Sequence, residues 1–139
     1  MKNKLRNCFV IFIYCIINNL SFAQTHIKCN SFIAKQLINS EYRTVEKNNN
    51  EQYWIVSEDQ KLISWGYIDK YGSAKVDHYK VLNTELADDN NSMTFTIIGL
   101  SMIKSILTIN SKTNKISWMF HENEYGKLKF YFYEYNIEI

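Results

Sequence analysis

The sequence is poor in the residues on which several common functional sites depend. It contains only four glycines, and they are too far apart to form a glycine-rich phosphate loop. No serine stands in the G-x-S-x-G turn that exposes the nucleophile of many hydrolases. Proline is absent, which together with abundant Ile, Asn and Lys is typical of an AT-rich bacterial genome. These absences exclude the nucleotide-binding and hydrolase classes that depend on such loops, and we predict that the protein is not an enzyme.

The first 23 residues contain no acidic side chain and have the layout of an export signal. Basic residues stand at positions 2, 4 and 6, an apolar run covers residues 8–17, and the small residues Ser21 and Ala23 follow. This order of charged, apolar and small residues is that of a secretory signal. The apolar run is also too short to cross about 30 Å of hydrocarbon, which takes roughly 20 residues. We predict a signal peptide over 1–23, a mature domain over 24–139, secreted or periplasmic localisation, and no stable membrane span after cleavage.

Removal of the signal changes the charge of the chain. The whole sequence has a formal charge of +2, but three of its basic residues lie in the signal, so the mature part carries 13 Lys and Arg against 14 Asp and Glu. Nucleic-acid binding requires a clustered basic surface. The densest basic spot beside aromatics is Lys127 with Lys129, which is typical of a solvated strand face. We therefore predict no nucleic-acid partner.

Cysteine is too scarce after cleavage for a disulfide or a metal site. Cys29 is then the single thiol, so the domain must rest on its apolar core. His26 and Cys29 have an H-x-x-C spacing, but zinc requires three or four protein ligands and the chain offers no second pair. We predict no metal and no cofactor, and interpret Cys29 as an inert residue near a loose N-terminus or in the core.

Two hydrophobic periodicities divide the mature chain. Residues 30–39 predict a short helix, which Asn30 or Ser31 caps at its first turn. The residues on one side of that helix are Phe32, Ile33, Gln36 and Leu37. From residue 41 the period changes to two, which indicates strands with one wet face. The predicted strands are residues 42–46, 52–57, 61–68, 75–82, 93–98, a segment ending before Asn110, 115–121 and 127–134.

The alternation also predicts which side chains face the core. Four inward sets follow from it, namely Met93, Phe95 and Ile97; Ile103, Leu107 and Ile109; Ile116, Trp118 and Phe120; and Leu128, Phe130 and Phe132. The neighbours Asp77 and His78 lie on one predicted strand and therefore point to opposite faces. They are thus not expected to form an acid–histidine pair with each other.

Short polar turns separate the strands, and such short connections join antiparallel neighbours. We predict a mainly β fold, an antiparallel up-and-down meander of seven or eight strands forming a small barrel or strongly curved sheet, with one short N-terminal helix. The layout resembles that of small calycin-like barrels. The alternative is an α+β fold with the helix packed on a curved open antiparallel sheet, as in cystatin-like or nuclear-transport-factor-like folds.

Aromatic side chains occupy both faces of the last predicted strand. Tyr131, Tyr133 and Tyr135 alternate with Phe130 and Phe132. If the phenylalanines fill the core, the tyrosines form an outer stripe; if the sheet closes, one stripe lines the interior. Tyrosine suits contacts with ligands or partners, and cross-strand aromatic packing that stabilises the sheet is the alternative interpretation.

These features favour a binding module. We predict that Trp65, Tyr67 and Phe95 border a cavity for a small apolar ligand, because the strands that carry them turn these faces inward in a closed meander. The rival is a protein–protein interaction module with a filled core, which docks another exported protein through an aromatic sheet face.

Overall fold

The computed structural model describes residues 24–139, in which all regular structure is β-strand. The nine strands are β1 (Thr25–Ile38), β2 (Glu41–Asn48), β3 (Gln52–Val56), β4 (Leu62–Ile68), β5 (Ala74–Leu86), β6 (Ser92–Ile98), β7 (Lys104–Asn110), β8 (Lys115–Glu124) and β9 (Lys127–Ile137). The predicted signal peptide lies outside the described residues. Within residues 24–139 no helix has the length and apolarity needed to cross a membrane.

Eight of these strands close into an antiparallel barrel. Strands β3 to β9 pair in chain order, and β1 closes the ring by pairing with β3 on one edge and with β9 on the other. In the described part of the chain β2 pairs only with β1, beside the ring. Closure removes the exposed edges that an open sheet of this size would present. The predicted small antiparallel barrel is confirmed, and its connections are as short as expected.

The predicted helix over residues 30–39 is wrong, because residues 30–38 belong to β1 and Asn39 lies in the turn that follows. Cys29 faces the core, and so do Phe32 and Ala34, so the inward side changes from odd to even positions. A register shift in the pairing of β1 with β9 between Cys29 and Ser31 causes this change. Such an irregularity breaks the period of two that marks a strand in the sequence. The remaining apolar spacing around Phe32 then resembles that of a helical face.

Strained two-residue turns set the register of two hairpins. Asn39 and Ser40 both have positive φ between β1 and β2, and so do Tyr125 and Gly126 between β8 and β9. Positive φ at both central positions is the hairpin geometry that matches the twist of the flanking strands. Asn and Gly tolerate it well, whereas Tyr125 adopts it at a steric cost.

The barrel interior differs between its two ends. One end, where β3–β4, β5–β6 and β7–β8 connect, is filled by aliphatic side chains that are at most 4% exposed. These side chains are Val56, Ile63, Met93, Ile109 and Ile116. Strand alternation predicted the inward direction of Met93, Ile109 and Ile116, and that prediction is confirmed. At the opposite end, where β4–β5, β6–β7 and β8–β9 connect, aromatic residues replace the aliphatic ones; we call this the open end.

The predicted inward face of β9 is wrong. Leu128 and Phe130 are exposed, and Phe132 lies on the outer surface, where its ring is 6.0 Å from that of Tyr42 on β2. The inward residues are the tyrosines, of which Tyr135 is fully buried. Both faces of β9 are aromatic, and the Leu and Phe face is the more apolar of the two, so hydrophobicity alone predicts the wrong face. Pairing of β9 with β1 and β8 makes that choice when the barrel closes.

Candidate functional site

A cavity of about 280 Å³ lies in the open end of the barrel. Its walls are large rings contributed by strands β4, β5, β8 and β9. The rings that line it are Trp65, Tyr79, Trp118, Phe120 and Tyr133. The β6–β7 connection completes one side with Gly99, Ser101 and Ile103. The cavity is therefore an aromatic chamber covered by one loop.

The rings meet at steep angles around Trp118. Its ring centroid is 5.4 Å from Trp65 and 5.4 Å from Tyr79, with planes crossing at 70° and 72°. Tyr133 stands 5.9 Å away at 85°. Edge-to-face pairs of this kind contribute about 0.5–1.5 kcal/mol each beyond their buried area. They also present ring faces and edges from several directions to the same space.

Hydrogen bonds hold the two tryptophan rings in place. Trp118 Nε1 donates to Ser105 Oγ at 2.9 Å, and Trp65 Nε1 donates to Gln52 Oε1 at 2.8 Å. Both acceptors are buried. Each indole thus has its polar atom satisfied by the protein, which leaves the ring surface as the part that borders the cavity.

Two polar atoms one layer deeper have no such partner. Trp54 stacks on Trp65 at 5.7 Å and meets the ring of Tyr135 at 5.4 Å. Trp54 Nε1 and the Tyr135 hydroxyl are buried without a hydrogen-bond partner among residues 24–139. An unsatisfied buried polar group costs about 1–3 kcal/mol. The layer beneath the cavity is therefore not optimised for stability alone.

The cavity rim carries carboxylates. Asp77 and Glu122 line it, together with Ser101, Ser105 and His121. The ring of His121 contacts Phe130 on the outer surface at 5.8 Å, so its main contact lies away from the chamber. Neither Asp77 nor Glu122 forms an ion pair within the described residues. The charges at the rim are therefore negative.

The tyrosines of the chamber are held in their neutral form. Burial raises the pKa of Tyr133 to about 12, and the Glu46 and Glu122 carboxylates add to the increase. Burial, and then Asp77, raises the pKa of Tyr79 well above its usual range. At neutral pH these hydroxyls keep their protons and are able both to donate and to accept hydrogen bonds.

The three residues singled out from the sequence lie in different surroundings. Trp65 lines the cavity. Tyr67 stacks on Trp65 with ring centroids 4.2 Å apart, beside Asp77, and partial burial followed by that carboxylate raises the pKa of its hydroxyl. Phe95 is 1% exposed and belongs to the packed core, outside the residues that line this cavity. Ligand binding by any of them stays a prediction.

Sequence reasoning assigned other lining residues to different roles. Trp118 and Phe120 were expected in the core, and both lie on the expected inward face, where they line the cavity. Tyr133 was left open between an outer stripe and the interior. Asp77 was considered only with its neighbour His78, and the two do lie on different faces, since His78 bonds to Ser64. Alternation places Trp65 and Tyr67 on one face of β4, and Asp77 and Tyr79 on one face of β5. The register that pairs Trp65 with Asp77 puts these two faces on the same side.

Other constellations lack the parts of a catalytic or metal site. Ser64 Oγ lies 2.8 Å from His78 Nδ1, but no described carboxylate hydrogen-bonds to His78. His26 is exposed while Cys29 is buried, and residues 24–139 contain no cluster of three His, Cys, Asp or Glu side chains that would hold a metal ion. Burial raises the pKa of the Cys29 thiol to about 12, so the thiol is protonated at neutral pH.

The fold and the chamber together define a small closed antiparallel β-barrel with one open end. No family model and no curated protein matches the chain. Two crystal structures of mutants of transferrin binding protein B, a vaccine antigen from Haemophilus parasuis Hp5, are similar to it at 9% sequence identity, with TM-scores of 0.47 and 0.48. The similarity covers 84% of this chain and 26% and 27% of those chains, so this chain spans about a quarter of their length.

Proposed function

We propose that the protein is an exported binding module that holds a small ligand in the aromatic chamber at the open end. The observation that carries this proposal is the cavity of about 280 Å³, walled by five rings and bordered by a few polar groups. Binding sites for small molecules combine apolar and aromatic walls with a small number of polar groups that fix orientation. The chamber has this composition.

The size of the chamber limits the ligand. Sites for drug-sized molecules usually measure about 300–1,000 Å³, so this chamber lies just below that range. It suits a compact molecule or one end of a longer molecule. The closed end of the barrel is packed with aliphatic side chains, so a ligand enters from the open end, past the β6–β7 connection.

Occlusion of the chamber tests this proposal. A panel of small fluorescent apolar probes, neutral and charged, is titrated into the purified domain while probe and tryptophan emission are followed. We expect saturable one-to-one binding that Ser101→Phe weakens, because a ring on the loop fills the entrance. Asp88→Phe is the matched control, since Asp88 is exposed in the β5–β6 connection at the other end of the barrel.

Truncation of one of the rings that line the chamber provides a second test. Trp65→Ala should change the affinity or the emission of the bound probe, while far-UV circular dichroism shows that the barrel is retained. If no probe binds, or if Ser101→Phe and Asp88→Phe affect binding equally, the chamber is not the binding site.

A second candidate function, docking of another protein, is favoured by an apolar row on the outer surface. Ile106, Met119 and Phe132 stand directly opposite one another on β7, β8 and β9, and the first two are exposed. If this row is a docking face, Met119→Lys should abolish co-purification of one defined protein. Lys104→Glu, on the same face of β7, tests whether charge alone explains such a loss.

A further inference from the structure

Charge is distributed unevenly over the chamber. The rim residues Asp77 and Glu122 are acidic, and the described lining includes no lysine or arginine. Lys129 lies opposite Glu122 on β9, but it forms its ion pair with Glu124. Glu46 acts on Tyr133 from β2 and adds further negative charge. A ligand at the rim therefore meets a negative potential.

The aromatic walls also favour a positively charged ligand. The face of an aromatic ring carries partial negative charge, and it attracts a cation within about 6 Å of the ring centroid. Trp65, Tyr79 and Tyr133 each cross the plane of Trp118 at 70° or more. All four rings line the same cavity, so a cation inside it lies beside several rings at once, which is how aromatic cages hold quaternary ammonium groups.

The alternatives fit the chamber less well. An anionic ligand would meet Asp77 and Glu122 with like charge, which disfavours it. A neutral apolar ligand would leave the half-buried Asp77 carboxylate without a cationic partner and remove some of its water, which costs free energy. A cation satisfies the carboxylate and the ring faces together.

We propose that the ligand of this chamber is a small organic cation, with its ammonium or quaternary ammonium group in the cavity that Trp65, Trp118 and Tyr133 line and with Asp77 as the counter-charge. This assignment rests on the proposed function of the chamber as a binding site. It replaces a purely apolar ligand by one that has an apolar surface and a positive charge.

The test compares three probes of nearly equal shape. Choline carries a trimethylammonium group, 3,3-dimethylbutan-1-ol has a neutral tert-butyl group in its place, and 3,3-dimethylbutanoate carries a negative charge. Each is titrated into the purified domain and followed by calorimetry and by tryptophan emission. We expect choline to bind about tenfold more tightly than the neutral alcohol and the anion to bind most weakly, which is the range of a partly desolvated cation–π contact.

Variants locate the counter-charge. Asp77→Asn should weaken choline binding about five- to tenfold and leave the alcohol unchanged, since the amide keeps the shape and removes the charge. As a control, Asp88→Asn removes a carboxylate at the opposite end of the barrel and should change the affinity for neither choline nor the alcohol. Raising the ionic strength from about 0.05 to about 0.5 M should weaken the binding of choline but not that of the alcohol, because salt screens the attraction between the cation and the carboxylate.

Failure of this proposal is distinguishable from failure of the proposed function. If the alcohol binds as tightly as choline, or if Asp77→Asn affects both equally, the chamber binds ligands without selecting a cation. If neither these three probes nor the wider fluorescent panel bind, both proposals are overturned.

Discussion

Truncation of Trp118 to alanine tests the architecture of the barrel interior most directly. Trp118 is 7% exposed, its indole N–H is bonded to Ser105, and its ring contacts those of Trp54, Trp65 and Tyr133. Replacing a buried tryptophan by alanine costs about 3–5 kcal/mol. One side of the ring already borders the cavity, so we expect the lower part of that range, about 3–4 kcal/mol.

Such a loss is large for a domain of this size. Domains are stable by about 5–15 kcal/mol in total. At roughly 3–5 °C per kcal/mol, Trp118→Ala should lower Tm by about 9–20 °C. Guanidinium chloride unfolding followed by far-UV circular dichroism measures the loss, and an unchanged slope m shows that the variant exposes the same surface on unfolding.

The next residue on β8 provides the matched control. Met119 is 43% exposed and points to the opposite face, so Met119→Ala should cost less than about 1 kcal/mol. A double-mutant cycle of Trp118→Phe with Ser105→Ala should give a coupling of about 1 kcal/mol for the indole hydrogen bond. Equal losses for Trp118→Ala and Met119→Ala would show that the inward face of β8 is misassigned.

Three further predictions follow from burial and from the sequence. Cys29, fully buried and with its pKa raised to about 12, should react with a thiol reagent only on unfolding, and stoichiometric reaction of the native protein at pH 8 would contradict its position. Burial raises the pKa of Tyr133 to about 12, so the unfolded state ionises first. The contribution of Tyr133 to stability should therefore be constant below about pH 10 and be lost between about pH 10 and 12. In alkaline unfolding curves, Tyr133→Phe should make the fall over this interval shallower. Mass spectrometry of the exported protein should show a chain that begins at Gln24, and an intact N-terminus on folded protein would refute the predicted cleavage.

Local patterns in the sequence determined most strands and their antiparallel up-and-down order. Strict alternation around Phe95 and Trp118 predicted two strands and their inward faces correctly, because one face of each strand is apolar and the other polar. Clusters of Asn, Asp, Ser and Gly predicted the short connections, and short connections imply antiparallel neighbours. These signals depend on residues close together in the chain, so they are readable without the tertiary structure.

Only the tertiary structure decided the features that depend on closure of the ring. The irregularity near Cys29 shifts β1 from one inward phase to the other, and without its partners β3 and β9 this segment has a helix-like spacing. On β9 the Leu and Phe face is more apolar than the Tyr face, yet closure placed Tyr133 inside and Phe130 outside. The chamber itself joins Trp65 to Trp118 at 5.4 Å, although more than fifty residues separate them in the chain. Sequence alternation gives the face on which a side chain lies, whereas the side chains that share that face across the ring are set by register and closure.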